Sequence, residues 1–288
     1  MKYIKSFLAI ALVALFASSC SNDLPYPLED VKHGVVIDVV RSPKTDGILS
    51  AGVTTGNYKL TLSIPKQQGD YSFMDYAQLV CVFKTATGEV SSKVVQDNIK
   101  SFPTEIDLNI ADIYKQFGFT SPSLNESLTF TTNAVLKDGS VVYGWNKYSG
   151  YNNSAFAGWI VNDRAYSSKV SYPVACPLVI DDFVGTSTVV DAFWEETYDV
   201  EFYKISDTKL GMKGLFGGSV DLIIEIDPSV HTVTIPKTVI FPTLGSYTNL
   251  TIQGSGTIDS CNGIISFSGP VTVDQGSFGS YNWVFKIK

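Results

Sequence analysis

Aromatic side chains are concentrated in one stretch of this chain, and their chemistry suits carbohydrate binding. Seven aromatic residues occur between positions 143 and 166, whereas aromatic residues make up 12% of the whole sequence. Flat rings stack on the C–H faces of sugars, and the asparagine side chains interspersed here can hydrogen-bond sugar hydroxyls. The predicted ligand contacts are Trp145, Tyr148, Tyr151 and Trp159. Two alternatives stay open: these rings pack one end of a sheet core, or they contact another protein.

Carboxylates in the second half of the chain raise a second possibility, glycoside hydrolysis, which requires two such groups at a suitable separation. The candidates are Asp181 with Asp182, Glu195 with Glu196, Asp199 with Glu201, and the group Asp221, Glu225 and Asp227. In the last group the acidic residues alternate with leucine and isoleucine, which is typical of a strand with one solvated face. A solvated face is therefore the simplest interpretation, with calcium binding and catalysis as alternatives. No EF-hand loop pattern supports calcium.

The sequence lacks the residues that other kinds of catalytic site require. The two histidines, His33 and His231, have no motif partner for a Ser-His-Asp or Cys-His site. The glycine-rich stretch 214–218 lacks the Lys-Ser/Thr pair and the helix of a phosphate-binding loop. No Cys/His cluster suggests zinc. We therefore expect no catalytic residue, no cofactor and no metal site.

Short apolar runs with period-two alternation predict that these residues are carried on β-strands. The first series of predicted strands covers 35–40, 58–64, 78–84, 90–95, 105–110, 128–136, 140–145 and 168–174. Thr87-Gly88 and Asp138-Gly139 have the composition of hairpin turns, and 111–117 is the one predicted helix. This strand count predicts an immunoglobulin-like β-sandwich over residues 31–175.

A second series of strands follows Pro173 and Pro177, where we place a domain boundary. These predicted strands cover 193–205, 209–216, 220–227, 232–241, 249–258, 263–273 and 281–288. Because they run nearly end to end with short connections, residues 176–288 are expected to form an antiparallel meander barrel or half-barrel, similar to lipocalins and calycins. A second Greek-key sandwich is the alternative. The expected fold class is therefore all-β.

The first residues have the pattern of a targeting segment. Two lysines, an apolar run over 7–17 and small residues before Cys20 predict a signal peptide over 1–19. The arrangement resembles a bacterial lipobox, which implies lipidation of Cys20 and a membrane anchor; ordinary secretion is the alternative. Residues 20–30 form an acidic, proline-containing tether. The net charge of −7 and the absence of a basic stripe argue against nucleic acid as a partner.

Three cysteines follow the lipobox. Cys81 alternates with apolar residues, which predicts a buried thiol on a strand. Cys176 and Cys261 are a possible disulfide pair in an oxidising compartment.

The combination resembles the SusE/SusF-like accessory lipoproteins of Bacteroidetes glycan-uptake systems. The resemblance rests on Cys20 with its acidic tether, on the strand start at 102–108 and on the hairpin Lys137-Asp138-Gly139. It implies non-catalytic binding of polysaccharide at the outer membrane, beside an uptake transporter. We expect the protein to face the cell surface, with the periplasmic face as the alternative. No binding residue of the family can be carried over, because no site motif is shared. The alternatives are an adhesin or assembly component that binds protein, and a carboxylate-dependent glycoside hydrolase.

Overall fold

The computed structural model describes residues 35–152, 160–161 and 164–288. The predicted signal peptide, Cys20, the tether, His33 and Trp159 lie outside these residues, so what the sequence suggests about them stays a prediction. No helix in the described part of the chain is long and apolar enough to cross a membrane.

The first part of the chain is rich in β-sheet. Its strands are, in chain order, β1 (Asp38–Arg41), β2 (Leu49–Ser50), β3 (Lys59–Ser63), β4 (Met74–Lys84), β5 (Val90–Ile99), β6 (Thr104–Asp107), β7 (Ser127–Leu136), β8 (Val141–Val142), β9 (Trp145–Asn146), β10 (Gly150–Tyr151), β11 (Ile160–Val161), β12 (Arg164–Ala165) and β13 (Lys169–Ala175). A six-stranded sheet has the order β2-β13-β7-β4-β5, with β8 paired to β7. A three-stranded sheet has the order β1-β3-β6, and β9 pairs with β10 and β11 with β12.

The two larger sheets bury one shared hydrophobic core. Leu60 and Leu62 alternate along β3, and Leu79, Cys81 and Phe83 alternate along β4, so each strand directs one face into this core. The structure confirms a sheet-rich domain, while the immunoglobulin-like arrangement stays a prediction. The strand predicted over 140–145 is wrong as one piece, because the chain leaves strand geometry between β8 and β9.

One α-helix lies between β6 and β7. This helix, α1 (Ile110–Phe117), begins after Asn109, whose side chain accepts a hydrogen bond from the Asp112 N–H at 3.2 Å. It ends at Gly118, which adopts the left-handed conformation that a C-terminal glycine allows. The helix predicted over 111–117 is therefore confirmed to within one residue. Short 3-10 turns occupy Lys66–Gln68, Ile180–Phe183 and Leu215–Gly217.

The second part of the chain forms a closed antiparallel barrel, as predicted. Its eight strands are β14 (Gly185–Asp191), β15 (Glu196–Ser206), β16 (Lys209–Lys213), β17 (Leu222–Asp227), β18 (Thr232–Leu244), β19 (Tyr247–Asp259), β20 (Ile264–Val273) and β21 (Gly276–Ile287). Each strand pairs with the next, and β14 pairs with β21 to close the barrel. The barrel interior is filled by packed side chains, among them Trp283 stacked on Phe267 at 4.9 Å between ring centroids.

Strand β14, which closes the barrel, is not among the strands that the sequence predicts. On β14 the inward positions are Ser187, Val189 and Asp191, all buried. Two of these three are polar, so the strand lacks the apolar alternation that identifies the others. The following strand starts at Glu196 rather than at the predicted residue 193, because residues 192–195 form a turn.

The predicted domain boundary after residue 175 falls between the two sheet systems. Strand β13 ends at Ala175 and the barrel begins at Gly185. Val35–Lys288 nevertheless forms one compact unit, and the Gly47 N–H donates to the Ser229 carbonyl at 2.7 Å across the two parts. The division into two domains therefore stays a prediction.

All three cysteines after Cys20 have defined states. Cys176 and Cys261 form a disulfide that spans 85 residues of sequence, with their Cα atoms 5.1 Å apart. The Ser260 hydroxyl donates to the Cys176 carbonyl at 2.7 Å, so the connection into the barrel is held against the β19–β20 turn. Cys81 is a buried free thiol, as predicted, and burial raises its pKa far above the usual range.

Thiol titration of a soluble form, Ser21 to Lys288, is expected to give three distinct counts. The native protein should show no reactive thiol, because Cys81 is buried and protonated. Denaturant should expose one thiol, and denaturant with reductant should expose three. Three reactive thiols in denaturant without reductant would contradict the disulfide.

Candidate functional site

The candidate site lies on the outer face of the six-stranded sheet, where polar side chains of β7 are buried. Thr129, Thr131 and Asn133 alternate with the core residues Leu128 and Phe130, so they point away from the shared core. A solvated face would leave them exposed, yet all three are buried. The aromatic stretch that follows β8 contributes to their burial.

Gly144 lies directly against β7. Its N–H donates to the Asn133 side-chain oxygen at 3.2 Å. A Cβ added at Gly144 would lie 2.2 Å from the Thr132 carbonyl oxygen and 2.6 Å from the Thr131 hydroxyl. Only glycine permits this approach, so the following hairpin is seated on the sheet.

The hairpin of β9 and β10 carries three of the four predicted contact residues. Trp145 and Tyr151 are paired in its register, so their side chains project from the same face. The Asn146 side-chain oxygen accepts hydrogen bonds from the Tyr148 N–H at 3.0 Å and the Ser149 N–H at 2.9 Å, which fixes the turn.

An open groove of about 520 Å³ lies between this hairpin and β5. It is lined by Val80, Val90, Ser91, Ser92, Lys93, Val94, Asn133, Tyr143, Trp145, Asn146 and Lys147. Tyr143 is 56% exposed and Trp145 is half-buried, so aromatic surface is presented to solvent beside apolar and hydrogen-bonding groups. We call this site the sheet groove.

The four predicted contact residues have different environments. Trp145 lines the sheet groove, whereas Tyr148 is 88% exposed at the hairpin tip and does not line it. Tyr151 is half-buried, and the Lys169 ammonium lies 4.0 Å from its ring centroid, so its ring is already used in packing. Burial raises the pKa of the Tyr151 phenol, and a hydrogen bond with Thr129 acts in the opposite direction. Trp159 lies outside the described residues.

Tyr143 and the β5 residues belong to the sheet groove but were not among the predicted contacts. Tyr143 could have been found, because it belongs to the same aromatic stretch and is only two positions from Trp145. Val90 and Val94 gave no such indication, since only the pairing of β4 with β5 brings them beside the aromatic stretch.

A second aromatic cluster, also missed, lies at one end of the barrel. The connections β14–β15, β16–β17, β18–β19 and β20–β21 all fall at this end, as they must in a meander. They bring together Phe193, Trp194, Phe216, Tyr247, Phe278 and Tyr281, which we call the mouth cluster. Trp194 is 42% exposed at this end, whereas Trp283 is fully buried.

Asp191 anchors the β14–β15 turn, which carries Phe193 and Trp194 of the mouth cluster. Its side chain is 1% exposed and accepts hydrogen bonds from the Trp283 indole N–H at 2.9 Å and the Tyr198 hydroxyl at 2.8 Å. It also accepts from the backbone N–H groups of Phe193 at 2.8 Å and Trp194 at 3.3 Å. Burial raises the pKa of the Tyr198 phenol, which keeps its donating proton in place.

The candidate carboxylates of the barrel lie on exposed or half-buried positions, mostly in contact with polar partners. Asp181 forms an ion pair with Lys204 at 2.9 Å, and Glu225 with Lys209 at 2.7 Å. On β17 the acidic residues face outward and Leu222 faces the core, as the alternation predicted. Among the described residues, no group of three or more His, Cys, Asp or Glu side chains could hold a metal ion.

Comparison of the chain with protein-family models, with curated proteins and with solved structures gives no match. Function is therefore inferred from the chain's own residues and geometry.

Proposed function

We propose that this protein is a lipid-anchored accessory protein of the outer membrane that binds polysaccharide without hydrolysing it. Its anchor is Cys20, it faces the cell surface, and it works beside an uptake transporter. In this proposal the sheet-rich domain is an immunoglobulin-like sandwich and the barrel is similar to lipocalins or calycins. The sandwich carries the polysaccharide in the sheet groove.

The observation that carries the proposal is the aromatic wall of the sheet groove. Tyr143 and Trp145 present ring surface along the sheet groove. Because this groove is open, it can accept an internal segment of a long polymer. Ser92 supplies an exposed hydroxyl group on the same groove, beside the apolar side chains of Val90 and Val94, which suits a ligand with apolar C–H faces and surrounding hydroxyls.

The lining of the groove favours binding over hydrolysis. None of the described residues lining it carries a carboxylate, whereas a glycosidase needs two. The exposed Lys147 side chain also lines the groove, so acidic polysaccharides are included among the ligands tested.

Affinity electrophoresis of the soluble form through gels containing neutral and acidic polysaccharides tests this proposal. We expect retardation of the wild type by at least one polysaccharide, and a loss of about tenfold or more in affinity for Trp145→Ala. Tyr143→Ala is expected to weaken binding less, because that ring is more exposed. Trp194→Ala is the matched control, since it removes a partly exposed tryptophan from the barrel and leaves the sheet groove intact.

Retardation that survives Trp145→Ala, or that is lost equally in Trp194→Ala, would contradict the assignment to the sheet groove. Absence of retardation by every polysaccharide would contradict carbohydrate binding itself. Tyr148→Ala tests whether the hairpin tip contributes to polysaccharide binding, because Tyr148 lies outside the groove lining.

A protein partner is the second candidate function, and the position of β5 favours it. This strand is at the edge of the six-stranded sheet, and nearly all of its side chains are exposed, including Val90 and Val94. An exposed edge can accept a strand from another chain. Capture of a protein partner by the wild type that persists in Trp145→Ala but is lost when proline replaces Ser92 would support this candidate.

A further inference from the structure

A second pocket adjoins the mouth cluster and shares no residue with the sheet groove. Its volume is about 630 Å³. It is lined by Trp194, Glu196, Tyr198, Asp199, Gly214, Phe216 and Gly217. We call this site the mouth pocket.

The aromatic walls of the mouth pocket are held in place by hydrogen bonds. The Trp194 backbone N–H donates to the Asp191 carboxylate, and the Phe216 backbone N–H donates to the Tyr198 hydroxyl at 2.9 Å. Phe216 has a φ of 57°, a conformation that is strained for a bulky residue. The rings of Trp194 and Phe216 meet edge to face, at 88° to each other with centroids 6.1 Å apart, and both line the pocket.

The charged residues that line the mouth pocket are both acidic, Glu196 and Asp199. Asp199 is engaged by the Lys288 ammonium and by the Thr188 hydroxyl, the latter at 3.1 Å. Glu196 is exposed, and it makes no ion pair within the described part of the chain. The described residues lining the pocket include neither lysine nor arginine, so a positive charge placed there meets ring faces and a carboxylate.

We propose that the mouth pocket binds an organic cation, specifically a substituted ammonium group. Ring faces attract such a cation through their negative electrostatic potential, and a perpendicular pair of rings contacts two of its sides. Glu196 complements the charge from the rim, while the apolar substituents of the ammonium group are buried against Trp194 and Phe216. This site is independent of the sheet groove and of carbohydrate binding.

Calorimetric titration of the soluble form with choline and with 3,3-dimethyl-1-butanol tests the proposal. The two ligands have the same shape, but the second carries a neutral carbon in place of the charged nitrogen. We expect choline to bind at least about tenfold more tightly than its neutral counterpart. Equal affinities, or no binding of choline and tetramethylammonium, would overturn the proposal.

Two variants locate the cation. Trp194→Ala should remove choline binding, and Glu196→Gln, at an exposed position where folding is unaffected, should weaken it about threefold to tenfold. Trp145→Ala should leave choline affinity unchanged, because it lies in the sheet groove. Choline binding that is unaffected by both mouth-pocket variants would overturn the assignment, whatever the outcome of the polysaccharide experiment.

Discussion

Replacing Asp191 by alanine is expected to lower the free energy of unfolding by about 3 to 5 kcal/mol. The substitution removes the acceptor of four hydrogen bonds, including those from the buried Trp283 indole and from the Tyr198 hydroxyl. Each buried donor left without an acceptor costs about 1 to 3 kcal/mol, and only the backbone N–H groups of the turn can reach water readily. Urea denaturation followed by circular dichroism measures the difference.

Asp221→Ala is the matched control for this prediction. Asp221 accepts one hydrogen bond, from the Tyr203 hydroxyl at 2.7 Å, on the outside of the barrel. Since water replaces that acceptor, the expected loss is within about 0.5 kcal/mol. Equal losses for the two variants would show that the burial of Asp191 is not what makes its hydrogen bonds important.

Asp191 also shows why the barrel could be predicted only in part. Alternating apolar residues identified seven strands, because on β17 and its neighbours the inward side chains are aliphatic. On β14 the inward side chains of Ser187 and Asp191 are polar, and Asp191 is stable there because donors from β15 and β21 surround it. Such compensation depends on pairing between distant segments, which composition along the chain does not reveal.

The same limit applies to the candidate sites. Local composition identified the aromatic stretch and Trp145, since both are properties of neighbouring residues. It could not show that Lys169, on a later strand, covers the ring of Tyr151. It gave no sign that Trp194 and Phe216 lie together, because only the meander brings their turns to one end of the barrel. Chain topology therefore decides which aromatic rings are accessible to a ligand.

Replacing Gly144 by valine is expected to abolish retardation by polysaccharide and to lower the free energy of unfolding by about 2 kcal/mol. The new Cβ would lie 2.2 Å from the backbone oxygen of Thr132, and a backbone atom in the middle of a sheet cannot move aside. The β9–β10 hairpin must therefore leave β7, and Trp145 leaves the sheet groove with it. Affinity electrophoresis and urea denaturation of the same preparation measure both effects.

Gly52→Ala is the control that distinguishes a general loss of stability from a loss of the binding site in Gly144→Val. Gly52 has a φ of 76° and open space around its Cα, so alanine there costs about 1 to 2 kcal/mol through backbone strain alone. It follows β2, at the opposite edge of the six-stranded sheet from β5, so the sheet groove keeps its shape. Retained polysaccharide binding in Gly52→Ala, with binding lost in Gly144→Val, would mean that the seating of the hairpin on β7 creates the site. Full binding by Gly144→Val would instead mean that the ligand contacts lie outside the sheet groove.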